Sequence, residues 1–126
     1  CQILEELLGS DMKSVALFRS TTAWDFLENL GDCMPAESFL KQIRAVVRSG
    51  VGRVRAFIRF SLNESSFPEY LSALAWNKSL TSTYYQDKAL LRDEELVSIL
   101  LLLFVALKPY RFELPVTKDL DRDDYW

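Results

Sequence analysis

A basic segment without acidic residues is the part of this sequence whose residue types could do chemistry. Residues 38–63 contain neither aspartate nor glutamate, although the whole chain has 18 acids against 15 lysines and arginines. The basic side chains of this segment are Lys41, Arg44, Arg48, Arg53, Arg55 and Arg59. Such cations pair with carboxylates and phosphates, whereas an ordinary solvated surface mixes charges of both signs. The segment therefore predicts a surface that attracts an acidic or anionic partner.

Each of these bases also has a structural interpretation. Lys41, Arg44 and Arg48 fall on the polar side of an amphipathic helix, where they could serve solubility alone. Arg53 begins a helix, where the macrodipole disfavours a cation, so a structural pair with a distant carboxylate is as well supported as partner binding. Arg55 lies at the edge of an apolar stripe, and we therefore expect it first of all to contact a partner directly.

The residues that most enzymes use are missing or unsuitably spaced. The chain has no histidine, which removes Ser/His and Cys/His nucleophile pairs and the usual zinc spacings. The GVGR turn lacks the length and the Lys-Ser/Thr ending of a phosphate-binding P-loop. Cys1 and Cys33 are expected to be reduced thiols, since a domain of this size can be stable by burial alone. We expect no enzyme, no catalytic residue, no metal site and no cofactor.

Apolar residues recur at helical spacing along almost the whole chain, which predicts an all-α fold in a single domain of about seven helical pieces. Thr22 and Asp25 occupy capping-box positions before a helix over 22–30, and Pro35 fits the first turn of the next helix. A turn at 49–52 precedes the helix that carries Arg53, and only PYRFELPV, residues 109–116, alternates like a strand.

The last predicted helix begins at Asp93 and reaches Lys108, and it is apolar on all its faces. It contains LVSILLLLFVAL, residues 96–107, which is shorter than the roughly 18–20 apolar residues that a membrane span needs. We therefore expect a helix central to the bundle. The chain begins inside a helical pattern, as a piece of a longer polypeptide would, and residues 117–126 are expected to form a loose acidic tail.

A basic surface of this kind suits two classes of macromolecule. Nucleic acid requires many phosphate contacts, and six bases on a domain with a net charge of −3 are a modest supply. A protein with an acidic patch needs only a few arginines around an apolar centre. The sequence favours a protein partner, with no nucleic acid bound.

Five blocks of the sequence together resemble one known family. GRVRAFIRFSLNE resembles the central block of RUN domains, and AWDFLENL resembles the tryptophan-bearing helix of that family. FPEYLSAL, STYYQDKALLRDEE and LKPYRFEL resemble the blocks that follow, in the same order. The likeness covers nearly the whole chain, so residues 1–126 are interpreted as one RUN-like domain that lacks the start of its first helix.

The resemblance implies a compact all-α bundle of about eight helices without enzymatic activity. It implies binding to small GTPases of the Rab, Rap or Arf-like groups in their GTP-bound form, or to motor-linked proteins. It also implies a cytoplasmic adaptor that partners recruit to endosomal, lysosomal or autophagosomal membranes without direct membrane insertion. In members that bind Arf-like GTPases, basic residues of the central block are important, and these correspond to Arg53, Arg55 and Arg59.

The sequence departs from the family at one place. Many members carry a His-Gly pair after the first leucine-rich helix, where this chain has Ser10 and Asp11, with Gly9 one place early. Two other interpretations stay open beside GTPase binding. One is a scaffolding module whose arginines make only internal contacts, for example with the acidic residues at 119–124, and the other is an RNA-associated helical domain with steep salt dependence.

Overall fold

The structure, a computed structural model, describes residues 2–16, 19–20 and 22–122. Within these ranges the chain is built mainly of helices joined by short turns. The α-helices are α1 (Gln2–Gly9), α2 (Ala23–Leu27), α3 (Leu30–Cys33), α4 (Glu37–Val46), α5 (Gly50–Asn63), α6 (Phe67–Ala75), α7 (Lys78–Tyr84) and α8 (Glu94–Ala106). The predicted all-α class is confirmed.

Minor elements complete the secondary structure of the described residues. Strands β1 (Ser14–Ala16) and β2 (Arg19–Ser20) pair antiparallel, and two 3₁₀ turns span Leu90–Arg92 and Lys118–Asp121. Residues 109–116, whose sequence alternates like a strand, have no regular secondary structure. Main-chain atoms of Leu114 and Pro115 are instead hydrogen-bonded by side chains of α5.

The core is centred on aromatic residues from several helices. The rings of Phe39 and Phe57 meet edge to face at a centroid distance of 5.3 Å, and those of Phe26 and Tyr85 meet at 4.9 Å. The hydroxyl of the fully buried Tyr85 donates a hydrogen bond to the main-chain oxygen of Leu8. Burial raises the pKa of this hydroxyl well above its usual value. Tyr85 therefore ties the end of α1 to the end of α7.

Local capping residues explain where the α5 helix begins. Ser49 is the N-cap, and its hydroxyl accepts a hydrogen bond of 2.9 Å from the amide of Gly52. Gly50 and Gly52 thus belong to the first turn of α5. The separate turn over 49–52 that the sequence predicts is not present. Arg53 consequently lies in the fourth position of the helix.

A Schellman motif ends α5. The amide of Ser66 donates to the carbonyl of Ser61 at 2.8 Å, and the amide of Ser65 donates to that of Leu62 at 3.1 Å. Ser65 has a φ of 57° in this turn. A residue other than glycine is strained in this left-handed backbone conformation by roughly 1–2 kcal/mol.

The tryptophan-bearing segment begins with the predicted capping box but forms two short helices instead of one. The capping box between Thr22 and Asp25 is present in both directions. The predicted single helix over 22–30 is broken at 28–29 into α2 and α3, and Gly31 lies inside α3 rather than stopping a helix.

α8 begins where predicted, but it ends two residues before the predicted Lys108 and does not lie at the predicted place. Asp93 caps it by accepting from the amide of Leu96, and the helix ends at Ala106. It packs on α6 through Phe104, whose ring lies 4.6 Å from that of Phe67. Its opposite face is open to solvent, so the expectation of a central helix is wrong. No helix of the described ranges is long and apolar enough to cross a bilayer.

Candidate functional site

The first of the predicted site residues, Arg55, is turned into the protein. Only 5% of it is exposed. Its Nε donates to Glu5 at 3.1 Å, and its Nη1 donates to the main-chain oxygens of Leu120 at 3.0 Å and Arg122 at 2.7 Å. The sequence places Arg55 on the rim of an apolar stripe, ready for a partner. The structure instead uses its guanidinium to join α1, α5 and the end of the described chain.

Arg59 and Asn63 extend this arrangement along the same face of α5. Arg59 is 8% exposed and donates from Nη1 to the main-chain oxygen of Pro115 at 2.9 Å. The side-chain amide of Asn63 donates to the oxygen of Leu114 at 2.9 Å and accepts from its nitrogen at 2.7 Å. Residues 55, 59 and 63 are each four apart and therefore share one helix face. Together they bind the backbone of residues 114–122, here named the C-terminal segment.

The far end of the C-terminal segment is held at the start of α5. The carboxylate of Asp121 accepts from the amide and the hydroxyl of Ser49, at 2.8 and 2.6 Å, and from the amide of Arg48 at 3.0 Å. Partial burial acts to raise the pKa of Asp121, but these hydrogen bonds and the charge of Arg53 outweigh it and hold that pKa below its usual value. A carboxylate is also favoured beside a helix N-terminus.

These contacts correct the expectation of a loose tail from residue 117. Leu120 is fully buried, and Lys118–Asp121 forms a 3₁₀ turn on α5. The segment is ordered because buried arginines and Ser49 satisfy backbone and carboxylate groups that a free tail would leave to water. Residues 123–126 lie outside the described residues.

Arg53 also has internal contacts. Its Nε donates to the main-chain oxygen of Val47 at 3.1 Å, and its guanidinium carbon lies 5.9 Å from the ring centroid of Trp24. This distance suits a cation–π interaction. Its charge also helps to lower the pKa of Asp121. Asp121 is therefore a distant carboxylate of the kind that the sequence suggests as a structural partner of Arg53.

The remaining three predicted residues face outward. Lys41 and Arg48 are exposed. Arg44 is half-buried and pairs with Glu37 at 3.0 Å and with Glu28 at 3.9 Å. Lys41 and Arg44, three residues apart, lie on one side of α4. Arg48 follows the helix, after Val47, whose backbone is extended. The six predicted residues thus divide into an outward trio and an inward trio.

Asn63 is the residue that the sequence reasoning missed. Its position four residues after Arg59 is the pattern that could have revealed it, since Arg55 and Arg59 already mark that flank. A lone asparagine at a helix end, however, is usually explained as part of the helix stop. Only the return of the C-terminal segment gives this side chain its role.

The unusual Asp11 lies at another part of the molecule. It has a φ of 57°, and its carboxylate is 3.6 Å from the Nζ of Lys88. Asparagine and aspartate tolerate the left-handed conformation better than most residues, which fits aspartate at a position where the resemblance to the family implies glycine. Its negative charge is matched locally by Lys88.

Comparison with known proteins gives a family and several relatives. The model of the RUN domain matches residues 1–118. Human protein RUFY3 is 29% identical over 98 residues, which are 74% of this chain and 21% of RUFY3. The human pleckstrin homology domain-containing family M member 2 is 36% identical over 84 residues, or 65% of this chain and 8% of that protein. This chain thus spans about a fifth or less of these relatives' length, and it belongs to the RUN domain family of small-GTPase-interacting adaptor domains.

Proposed function

We propose that this domain binds a small GTPase of the Rab, Rap or Arf-like group in its GTP-bound form and acts as a non-enzymatic adaptor in vesicle or endolysosomal trafficking. The observation that carries the proposal is the outward trio, with Lys41 and Arg44 on one side of α4 and Arg48 shortly after its end. Family membership supplies the partner class, and the outward bases of a segment that contains no acids supply a chemistry that fits it.

In this proposal the domain distinguishes the GTP-bound from the GDP-bound partner through the conformation of the partner's switch segments. The switch segments of a small GTPase are ordered by the γ-phosphate and its magnesium ion and are released after hydrolysis. In the proposed complex, acidic residues of the ordered switches meet Lys41 and Arg48, while Arg44 exchanges Glu37 for a partner carboxylate. Exposed charges of this kind raise the association rate and select the partner more than they add affinity.

The inward trio contributes to the same site by holding the surrounding structure in place. Arg53, Arg55 and Arg59 hold α5 and the C-terminal segment together, and Asp121 of that segment fixes the main chain at Arg48. Substitution of Arg55 would then weaken binding by disturbing the domain rather than by removing a contact. All six predicted residues stay in the proposal, three as contacts and three as positioning residues.

Recruitment to membranes would be indirect. The domain would be cytoplasmic and would reach endosomal or lysosomal membranes with its GTPase, and a motor-linked protein could bind elsewhere on the parent chain. This placement is supported by the family's adaptor role and by the basic surface.

The test is a pull-down against a panel of Rab, Rap and Arf-like GTPases, each loaded with a GTP analogue or with GDP. Lys41→Glu combined with Arg48→Glu should abolish capture of the binder, since both side chains are exposed and their charges are reversed. Arg111→Glu is the matched control, because Arg111 is 88% exposed and lies outside the basic segment. Equal loss with Arg111→Glu, or capture without preference for the GTP analogue, would contradict the proposal.

A scaffolding module is the second candidate. It is favoured by the inward trio, because Arg53, Arg55 and Arg59 already have internal hydrogen bonds or ring contacts. It predicts partners that bind equally with either nucleotide, or without any GTPase. The same panel separates the two candidates.

A further inference from the structure

The basic side of α4 also carries an acid. Glu37 is the first residue of α4, and the residues four and seven positions after it are Lys41 and Arg44. Residues at these spacings share one side of a helix, so the carboxylate of Glu37 lies on the same side as the two bases. It directly precedes the segment 38–63, which contains no acid. The surface that looks purely basic in the sequence therefore has a negative charge at its edge.

Arg44 faces two carboxylates of its own chain. Its Nη1 donates to Oε1 of Glu37 at 3.0 Å, and its Nη2 lies 3.9 Å from Oε2 of Glu28. Glu28 is the C-cap of α2, so this second acid comes from a different part of the fold. Arginine binds carboxylates through pairs of such N–H groups. The atoms with which Arg44 would bind a partner are thus already directed at internal acids.

The place of the Glu37 carboxylate depends on a small residue of α3. A Cβ atom at Gly31 would lie 3.4 Å from Oε2 of Glu37 and 3.6 Å from Cδ1 of Leu40. Glu37 therefore lies between α3 and Arg44. Its side chain is still 59% exposed, and that of Arg44 is 33% exposed, so a partner can reach both groups.

We propose that Glu37, assisted by Glu28, competes within the chain for Arg44 and thereby limits how tightly and how fast a small GTPase binds. This inference rests on the proposed function, in which Arg44 binds a carboxylate of the partner. The two acids offset two of the three positive charges of the outward trio, which weakens the attraction of an acidic surface. An exposed ion pair contributes little stability, so a partner carboxylate can displace Glu37.

A purely structural role of Glu37 predicts a different result. Glu37 lies in the first turn of α4, where a negative charge stabilises the helix. If this were its only role, neutralising it would lower the stability of the domain and leave binding unchanged. As a competitor, its neutral form gives lower stability together with tighter binding. The two measurements then change in opposite senses.

Dissociation constants of the 126-residue chain for the GTPases of the panel, each loaded with the GTP analogue, test this proposal. Glu37→Gln keeps the size of the side chain and should lower the dissociation constant about three- to tenfold, mainly through faster association. Glu28→Gln should have a smaller effect, because its carboxylate lies farther from Arg44. Glu95→Gln is the matched control, since Glu95 is also an exposed acid in the first turn of a helix. Circular dichroism checks that the variants are folded.

An Arg44→Gln background identifies the group through which Glu37 acts. There the gain from Glu37→Gln, taken as the logarithm of the dissociation constant, should fall by about half or more, because no guanidinium is left to release. An undiminished gain in this background, an unchanged dissociation constant for Glu37→Gln, or an equal gain for Glu95→Gln would overturn this inference and leave the proposed function intact. If neither the wild type nor Glu37→Gln binds any member of the panel, the proposed function fails and this inference fails with it.

Discussion

The guanidinium of Arg55 donates a 3.0 Å hydrogen bond to the main-chain oxygen of Leu120, 65 residues later in the chain. The side chain of Leu120 is fully buried beside it. A hydrogen bond and a buried apolar side chain thus hold the C-terminal segment on α5 at the same place.

Arg55→Ala should destabilise the domain by about 2–4 kcal/mol, because it leaves two main-chain oxygens and the carboxylate of Glu5 without this donor in a buried site. Chemical denaturation followed by circular dichroism measures the change. Lys41→Ala serves as the control, since an exposed side chain away from such features should change stability by no more than about 0.5 kcal/mol. Similar stability of the two variants would contradict a structural role for Arg55.

Gly52→Ala should loosen the C-terminal segment, because a Cβ atom at Gly52 would lie 2.4 Å from Oδ1 and 3.2 Å from Cα of Asp121. Alanine normally stabilises a helix interior relative to glycine, yet here we expect a loss of about 1–3 kcal/mol from overpacking. Hydrogen exchange of the segment measures the effect directly. Gly9→Ala is the control, since a Cβ atom there meets nothing within 4 Å. Equal protection in both variants would show that the segment does not depend on this approach.

The contribution of Asp121 to stability should depend on pH in a defined direction. Its pKa is lowered in the folded state from an ordinary value near 3.8, so the unfolded chain binds the proton more readily. The stabilisation is therefore fully present above about pH 5 and is lost as the pH falls through 3.8 toward the folded pKa. The stability difference between wild type and Asp121→Asn should shrink in that window.

Asp119→Asn provides the comparison for this titration. Asp119 is exposed on the same 3₁₀ turn, so its substitution should change stability little at any pH. A difference for Asp121→Asn that stays constant from pH 7 to about pH 2 would contradict a role for its ionised form.

Ser65→Gly should stabilise the domain by about 0.5–1 kcal/mol. Glycine removes the strain of the left-handed conformation at the end of α5, and part of this gain is offset by the greater freedom of glycine in the unfolded chain. Thermal unfolding measures the change. Ser65→Ala keeps a Cβ atom and should give no such gain, and a gain of equal size with alanine would rule out backbone strain as the cause.

Local patterns predicted much of the fold. The capping box of Thr22 with Asp25 and the N-cap at Asp93 depend on residues three positions apart, and both are present. Positions that depend on distant segments were not predictable in this way. α8 is apolar on every side, which is typical of a buried helix, but nothing in its own sequence indicates which of its faces is covered.

The same distinction applies to the candidate site. The basic segment is visible from its composition, but the direction of each side chain depends on where the C-terminal segment returns. Arg55 and Arg48 look alike in the sequence, yet one is buried by contacts 65–67 residues away and the other is exposed. A prediction that used charge alone could not separate them.

The side chains of Arg55, Arg59 and Asn63 bind main-chain atoms of the C-terminal segment and not its side chains. These hydrogen bonds do not depend on which side chains the segment carries, but they do depend on the number of residues in it. Exposed positions of 114–122 can therefore diverge among relatives at little cost, whereas the loss or gain of a single residue between Pro115 and Leu120 would move one of the bound carbonyl groups out of reach.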